Sequence, residues 1–428
     1  MARLKIIKGF EQAKSVLSRQ APTKELPSIN GREREVRNII DEVRRRGDDA
    51  LRDYTLQFDG IKLTSLEIGK EQISRAYQEI DADLVAALKL AAERIRAFHT
   101  RQKETIWGEA TKPGSGQLVR PLERIGIYAP GGTACYPSTV LMTAIPAKIA
   151  GVKEIILATP PGRQGVIPPP TLVATDIAGV NRIFGVGGAQ AIAALAFGTK
   201  SIDRVDKIFG PGNIFVSLTK KLVYGEVGID GLQGPSEVLI IADETANPEY
   251  CAADLLAQAE HDPLASAILV TTAPQLATEV NQEVKRQLQS LKRQTIAAES
   301  LAANGKILVV GSMAEAIELA NLYAPEHLCL AVDKADTYID KISNAGCIFI
   351  GGKTTVTLGD YVAGSSHVLP TGGTARFSSP LNISDFLKLI NMITIDDTSL
   401  KQLGRAAATI ARAEGLEAHA RAVEKRLK

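Results

Sequence analysis

The strongest constraint on the fold is a repeated alternation of short apolar runs with helix-like stretches of small residues. The runs begin at "RIGIYAP", and glycine or proline bounds each of them, as in "EIILATPP" and "RIFGVGG". Helix-like stretches follow Pro137 and begin again near Pro170. Apolar runs that alternate with helices are typical of parallel strands whose connections cross the faces of a sheet. The alternation therefore predicts an α/β fold with parallel sheets.

A second block of the same kind begins at "EVLIIAD" and ends with the strand-like "HLCLAV" and "CIFIGG". Between about Gly31 and Thr100 apolar residues recur at spacings of three and four, which predicts a charged helical layer, and after Pro380 the pattern is again mainly helical. We expect an α/β fold class with two Rossmann-like parallel-sheet units and helical N- and C-terminal segments.

These patterns also predict a division into domains. We expect an N-terminal arm over residues 1–25, a larger discontinuous α/β domain over 26–124 and 235–379, an inserted α/β domain over 125–234, and a C-terminal helical tail over 380–428. Sequence repeats at the period of a solenoid protein are not visible.

Composition and charge narrow the class of function. Hydrophobic residues make up 45% and charged residues 23%, and acids and bases are mixed to a net charge of +2. This pattern has neither the basic stripe of a nucleic-acid-binding protein nor an apolar stretch long enough to span a membrane. The four cysteines lack paired spacing and the N-terminus lacks a signal-peptide core, so we expect buried thiols and a cytoplasmic protein. Small-molecule chemistry is the class that these features favour.

Only five histidines occur, and one of them follows a glutamine at helical spacing. His261 lies three residues after Gln258, so both side chains project from one face of a predicted helix. An imidazole nitrogen and an amide oxygen suit zinc or manganese, with Asp360 and His419 as candidate further ligands. A histidine that only interacts with the helix dipole is an equally good interpretation. His99, among basic residues, is expected on the surface.

Glu326 and His327 stand side by side where the apolar run "HLCLAV" begins. Two titratable groups at the mouth of a buried strand are poor material for a core, because an unpaired buried charge is costly. Their position therefore calls for a role other than packing.

Several glycine-rich turns are candidate ligand contacts. "FGVGGAQA" follows a strand and opens a helix, where free backbone N–H groups can hold a phosphate, although it departs from G-x-G-x-x-G and a turn without a ligand is equally compatible. Ser236 precedes a strand and His367 lies in a loop rich in glycine and hydroxyls. They place polar groups at strand ends, where open α/β sheets bind ligands.

Taken together and in order, the motifs resemble those of the histidinol dehydrogenase family. The resemblance runs from about Gly31 to His419 and includes "YAPGGTACYPS", "VGGAQAIAALAFGT", "KIFGPGN", "GPSEVLIIAD", "LLAQAEHDP", "YAPEHL" and "GSSHVLPTGGTARF". It implies oxidation of L-histidinol to L-histidine through the aldehyde, with two NAD⁺ and one bound Zn²⁺ per subunit. It also implies a homodimer whose C-terminal tails cross to the neighbouring subunit.

The resemblance further implies roles for individual residues. Glu326 and His327 match the catalytic pair, with His327 as the base of both oxidation steps and Glu326 as the base that activates water. The implied zinc ligands are Gln258, His261, Asp360 and, from the other subunit, His419. The implied substrate contacts are Ser236, Gln258, His261, His327, Asp360, Glu414 and His419, and the implied NAD contacts are Tyr128, Gln190 and Asn213. Ser366 stands before His367 where many members have Asn.

Two other functions are compatible with parts of the pattern. A zinc hydrolase could use Glu326 as base on a metal-bound water, but it leaves the glycine-rich turns unexplained. A non-enzymatic metal- or nucleotide-binding module explains the turns and leaves Glu326 and His327 without a role.

Overall fold

The computed structural model describes residues 4–18, 27–110, 116–131, 135–162 and 165–427. The chain divides into two compact units, Met1–Glu104 with Pro121–Leu387, and Thr105–Arg120 with Lys388–Lys428. The strands are β1 (Lys5–Lys8), β2 (Gln117–Pro121), β3 (Arg124–Tyr128), β4 (Glu154–Ala158), β5 (Arg182–Phe184), β6 (Lys207–Phe209), β7 (Gly228–Ile229), β8 (Glu237–Ala242), β9 (Ser266–Thr271), β10 (Lys306–Val309), β11 (His327–Ala331), β12 (Cys347–Ile350) and β13 (Leu387–Asn391).

The α-helices surround these strands. They are α1 (Phe10–Leu17), α2 (Pro27–Arg46), α3 (Asp48–Asp59), α4 (Lys70–Ala76), α5 (Ala82–Ala110), α6 (Pro137–Ala150), α7 (Pro169–Ala178), α8 (Gly188–Phe197), α9 (Ile214–Val223), α10 (Pro248–Ala259), α11 (Pro274–Leu288), α12 (Gln294–Ala303), α13 (Met313–Tyr323), α14 (Val356–Tyr361), α15 (Asp397–Ala413) and α16 (Glu417–Glu424). Short 3-10 helices cover Ala335–Lys341, Thr374–Arg376 and Ile383–Phe386.

The first sheet has five strands in the order β5-β4-β3-β6-β7, and its described pairings are parallel. The chain leaves β3 toward β4 on one side and returns to β6 on the other. A crevice forms outside the carboxyl ends of the strands at such a reversal. Helix α8 is buried along almost its whole length because it carries mainly alanine, and α2 packs on it through Val36, Ile39, Ile40 and Val43.

The second sheet has six parallel strands in the order β1-β10-β9-β8-β11-β12. Strand β8 is central, and all of its residues are buried because helices cover both faces. The order again reverses at β8, which lies between β9 and β11. These two sheets confirm the fold class expected from the sequence.

The second unit contains a helical hairpin of α15 and α16 and most of a two-stranded sheet of β2 and β13. Gly404 lets the helices approach, since a Cβ there would lie 3.1 Å from Val423 and Leu427 side-chain atoms. Strand β13 was not expected in a segment that looked helical, because "LKLINM" is too short to separate the two periodicities.

Within the described part of the chain, no helix is both long and apolar enough to cross a membrane. The predicted division into an arm, two α/β domains and a tail stays a prediction.

Candidate active site

The polar residues at the strand ends of the second sheet converge at its amino edge. Strands β8 and β11 are neighbours, with His327 beside Val238 in register. Ser236 therefore precedes β8 at the point where Glu326 precedes β11. The general rule for open α/β sheets places ligands at the carboxyl edge. Glu326 and His327 instead lie at the amino edge of the second sheet. The expectation from the sequence that the ligand binds at the carboxyl edge is therefore wrong for these two residues.

Glu326 is buried and held by two donors. Its Oε2 accepts hydrogen bonds from the Ser236 hydroxyl at 2.6 Å and from the Glu237 amide at 2.7 Å. Burial raises the pKa of Glu326 to about 7, although the neighbouring His327 and the two hydrogen bonds favour its charged form. The carboxyl group can therefore take up and release a proton near neutral pH.

His327 is also buried, and its two ring nitrogens have different surroundings. Nδ1 lies 2.9 Å from the carbonyl oxygen of Glu237, and because a carbonyl only accepts, Nδ1 carries the hydrogen in this contact. Nε2 lies 3.5 Å from Asp360 Oδ1 without a well-formed hydrogen bond among the described residues. Burial lowers the pKa of His327, but Glu326 and Asp360 outweigh it and raise the pKa to about 9.

Asp360 lies in α14, half-buried among three histidines. Burial raises its pKa, yet the interaction with His327, followed by those with His367 and His261, brings it below its usual value. A carboxylate that remains ionised beside several imidazoles is a favourable position for a cation.

His367 fixes the main chain of Asp360. Its Nδ1 lies 2.9 Å from the Asp360 carbonyl oxygen and its Nε2 lies 3.2 Å from the Thr139 hydroxyl on α6. Burial lowers the pKa of His367 and keeps the ring neutral. Ser366, where Asn was expected, is buried and accepts from the Val368 amide at 3.1 Å, which closes a local turn.

Gln258 lies in the last turn of α10, and His261 lies two residues beyond the end of this helix, which the sequence predicted to include both residues. Gln258 is buried, and its Nε2 has no hydrogen-bond partner among the described residues. Part of His261 is exposed, but the protein around its ring lowers its pKa, against the opposing charge of Asp360. His261 therefore presents a neutral imidazole, the form that binds metals.

Gln258, His261 and Asp360 are the residues that could hold a metal. The described residues contain no group of three or more His, Cys, Asp or Glu side chains arranged around one point. The amide of Gln258, the imidazole of His261 and the carboxylate of Asp360 are nitrogen and oxygen donors that suit zinc, and the unpartnered amide of Gln258 is free to turn its oxygen toward a cation. These three residues fit the group. Glu414 and His419 lie in the second unit, where both are exposed.

The candidate NAD contacts lie at the carboxyl edge of the first sheet. Tyr128 ends β3, and its hydroxyl accepts from the Gly188 amide at 3.1 Å, at the N-terminus of α8. Gln190 is buried, and its Oε1 has no hydrogen-bond partner in the described structure. Asn213 follows β6 and caps α9 by accepting from the amides of Phe215 and Val216. This is the crevice where strand order reverses.

His99 was expected on the surface, and the structure shows that this was wrong. Its side chain is fully buried, with Nδ1 3.0 Å from the Gln102 side-chain oxygen and the ring edge-on to Phe98. Residue composition around His99 indicated a charged helix but not which face of α5 is covered.

Two residues that contact the candidate site were not identified from the sequence. Thr139 contacts His367, and Lys220 contacts the turn after β6. Lys220 lies on the apolar face of α9 with Val216 and Val223, four residues before and three residues after it. A lysine within an apolar stripe is the signal that could have found it.

Known proteins resemble this chain along nearly its whole length. A family model described as histidinol dehydrogenase matches residues 23–427. The chain is 58% identical to the histidinol dehydrogenase of Dehalococcoides mccartyi (strain CBDB1), over 99% of this chain and 100% of that protein. It is 50% identical to the enzyme of that name from Clostridium acetobutylicum, over 92% of each. A crystal structure of histidinol dehydrogenase from Elizabethkingia anophelis matches with a TM-score of 0.92 at 38% identity, over 100% of this chain and 98% of that one. The chain therefore belongs to the histidinol dehydrogenase family of oxidoreductases.

Proposed function

We propose that this protein oxidises L-histidinol to L-histidine through L-histidinaldehyde, with NAD as electron acceptor and zinc as bound metal, in the last step of histidine biosynthesis. The observation that carries the proposal is the buried pair Glu326 and His327 beside the ionised Asp360. The names of the similar proteins supply the substrate. The cytoplasmic location expected from the sequence is part of this proposal.

His327 acts as the base of both oxidation steps. Against the effect of burial, Glu326 and Asp360 raise the pKa of His327 to about 9, so the ring must release a proton before it can act as a base. In the neutral ring Nδ1–H donates to the Glu237 carbonyl, and the lone pair lies on Nε2, the atom that faces Asp360. In the first step Nε2 takes the hydroxyl proton of histidinol while the carbon loses a hydride and the C=O bond forms. In the second it takes a hydroxyl proton of the hydrated aldehyde. Such a base contributes about 10²–10⁴-fold in rate.

Glu326 acts between these steps. Its carboxylate removes a proton from water as the water oxygen bonds to the aldehyde carbon, and the aldehyde oxygen gains a proton to give the hydrate. A pKa of about 7 suits this role, because a carboxyl group that titrates near neutral pH can take a proton from water and give it back. Hydrogen bonds from the Ser236 hydroxyl and the Glu237 amide keep the Glu326 carboxylate in a fixed orientation.

The remaining candidate residues would hold two ligands, zinc and NAD. Gln258, His261 and Asp360 would hold the zinc, with His419 supplied by the other subunit of a homodimer, and Glu414 would contact substrate. Bound zinc would give the imidazole and amine of histidinol a fixed attachment, and its charge would offset that of Asp360 beside His327. Tyr128, Gln190 and Asn213 would hold NAD, which accepts the hydride of each step. Burial raises the pKa of Tyr128 to about 12, so its hydroxyl keeps a proton to donate.

The test is NADH absorbance after histidinol and NAD⁺ are added to zinc-loaded protein. We expect NADH to form, to stop forming after a chelator is added, and to resume with zinc. A zinc hydrolase or a binding module would form no NADH under any of these conditions, and that result would refute the proposal.

A further inference from the structure

Lys220 is a buried lysine whose contacts span two segments of the candidate site. It lies on α9 and is 1% exposed. Its ammonium group donates to the Gly210 carbonyl at 3.0 Å, to the Gln233 side-chain oxygen at 2.9 Å, and to the Asp230 carboxylate. These three acceptors match the three hydrogens of an ammonium group.

The first segment that Lys220 holds is the turn between β6 and α9. Gly210 is held from both sides, since its amide donates to Asp230 Oδ2 at 2.7 Å while its carbonyl accepts from Lys220. Gly210 has a φ of +111°, and a Cβ at this position would collide with the carbonyl oxygen of Tyr128. The turn that leads to Asn213 is therefore fixed against the end of β3, where Tyr128 contacts the α8 N-terminus.

The second segment is the connection into β8. Gln233 accepts from Lys220 through its side chain and from the Ser217 hydroxyl through its carbonyl, at 3.1 Å. The next residue, Gly234, donates to the Thr371 hydroxyl at 2.6 Å. Two residues later, Ser236 donates to Glu326. The contacts of Lys220 thus reach from the turn proposed to hold NAD to Gln233, three residues before Ser236. Ser236 in turn donates to Glu326, the carboxylate proposed to activate water.

Stability alone is a poor reason for this arrangement. Desolvation of two buried charges offsets most of their attraction, and apolar residues of similar volume are often as stable or more so. Side-chain exposure is only 2% for Lys220 and 3% for Asp230, so both charges carry that cost. The geometry that the pair imposes is a better account of its presence.

We propose that Lys220 is a positioning residue that holds the Gly210–Asn213 turn at a fixed distance from the segment leading to Ser236. This distance would keep NAD and substrate close enough for hydride transfer. Lys220 touches neither of them and acts through Gly210 and Gln233. This inference rests on the proposed function, because it assigns a role within the same reaction.

The test compares three variants in zinc-loaded protein. Lys220→Met keeps the length of the side chain without its donors, but it leaves Asp230 buried and unpaired. The double variant Lys220→Met/Asp230→Asn removes both charges and keeps an acceptor for the Gly210 amide. Lys221→Met is the matched control, because Lys221 is the next residue and is exposed. The measurements are the dissociation constants of NADH and of histidinol, the single-turnover rate, and the melting temperature.

We expect NADH to bind about tenfold more weakly to both Lys220 variants. Hydrogen bonds from a charged donor to Gly210 and Gln233 are lost, so the turn proposed to hold NAD is no longer fixed. The single-turnover rate should fall about tenfold or more, because small misplacements of reactants are costly. Histidinol affinity should stay within about twofold, and Lys221→Met should match the wild type. The double variant should regain the melting temperature that Lys220→Met loses, but not the NADH affinity or the rate.

A purely structural role predicts a different pattern. If NADH affinity and rate return together with the melting temperature in the double variant, or if histidinol affinity falls as much as NADH affinity, the inference is wrong. The proposed function fails separately, if the wild type itself neither binds NADH nor oxidises histidinol.

Discussion

Glu326 and His327 are neighbours in sequence, and their environments give them different proton chemistry. Both are buried, but Glu326 receives two hydrogen bonds on one oxygen while His327 donates through Nδ1 and keeps Nε2 for the substrate. This difference supports separate roles in the proposed reaction. In the proposed reaction, hydration of the aldehyde would use Glu326 and both oxidations would use His327.

The variant Glu326→Gln tests this separation, because glutamine keeps the shape of the side chain without its basic oxygen. Oxidation of histidinaldehyde should fall by about 10²–10⁴-fold, while oxidation of histidinol to the aldehyde should stay within about tenfold of wild type. His327→Asn should damage both steps. Single-turnover measurements on each substrate distinguish them, and an equal loss of both steps in Glu326→Gln would show that the roles are not separate.

His261 gives a second prediction at this scale. The His261→Asn variant should bind zinc at least about tenfold more weakly, since even changes to residues that only hydrogen-bond to a metal ligand cost about 10–100-fold in metal affinity. Competition with a chromophoric chelator measures this without reference to activity. Zinc affinity equal to that of the wild type would remove His261 from the proposed ligands.

At the scale of elements, the apolar runs predicted most strands and helices of both sheets because each run is bounded by glycine or proline. Periodicity also predicted the helix that carries Gln258, but α10 ends at Ala259, two residues before His261. It could not show that β8 and β11 are neighbours, because that pairing joins residues about ninety positions apart. For the same reason the contacts of Glu326 with Ser236 and of His367 with Thr139 depend on the tertiary structure.

Helix α5 carries a prediction about pH, because His99 is fully buried on it. Burial lowers the pKa of His99, so the unfolded chain binds a proton more readily than the folded one. Stability from the neutral ring is therefore present above the unfolded pKa of about 6.5 and is lost as pH falls below it, by at most about 1.4 kcal/mol per pH unit.

A His99→Gln variant would lack this titration, and we expect it to be less stable than the wild type at pH 7.5 because His99 is fully buried. Its free energy of unfolding, measured by urea denaturation between pH 7.5 and 5.5, should fall less steeply than that of the wild type. The difference between the two proteins should shrink toward low pH. Parallel curves would mean that His99 titrates equally in both states.

At the scale of the whole molecule, the second unit raises the question of what covers α15. Leu403 and Ile410 on this helix are about half exposed, and Glu414 and His419 beyond its end are also exposed. Exposed apolar residues on an amphipathic helix are typical of an interface. The proposed homodimer, in which each tail completes the site of the other subunit, would bury them.

Mixing two inactive variants tests this exchange. One is His327→Asn with an intact tail, and the other is His419→Asn with an intact catalytic pair. If tails cross, a hybrid dimer has one site with both defects and one with neither, so random pairing should restore roughly a quarter of wild-type activity. The mixture must first be dissociated reversibly. If tails stay in their own subunit every site keeps one defect, and a mixture that stays inactive would refute the exchange.

In the proposed reaction, one site carries out two successive oxidations. The most direct measurement is the yield of NADH from a limiting amount of histidinol with excess NAD⁺ and zinc-loaded wild-type protein, together with identification of the product. We predict two NADH per histidinol and histidine as the only product. One NADH per histidinol with accumulated histidinaldehyde, or no NADH, would show that the site does not carry out both oxidations.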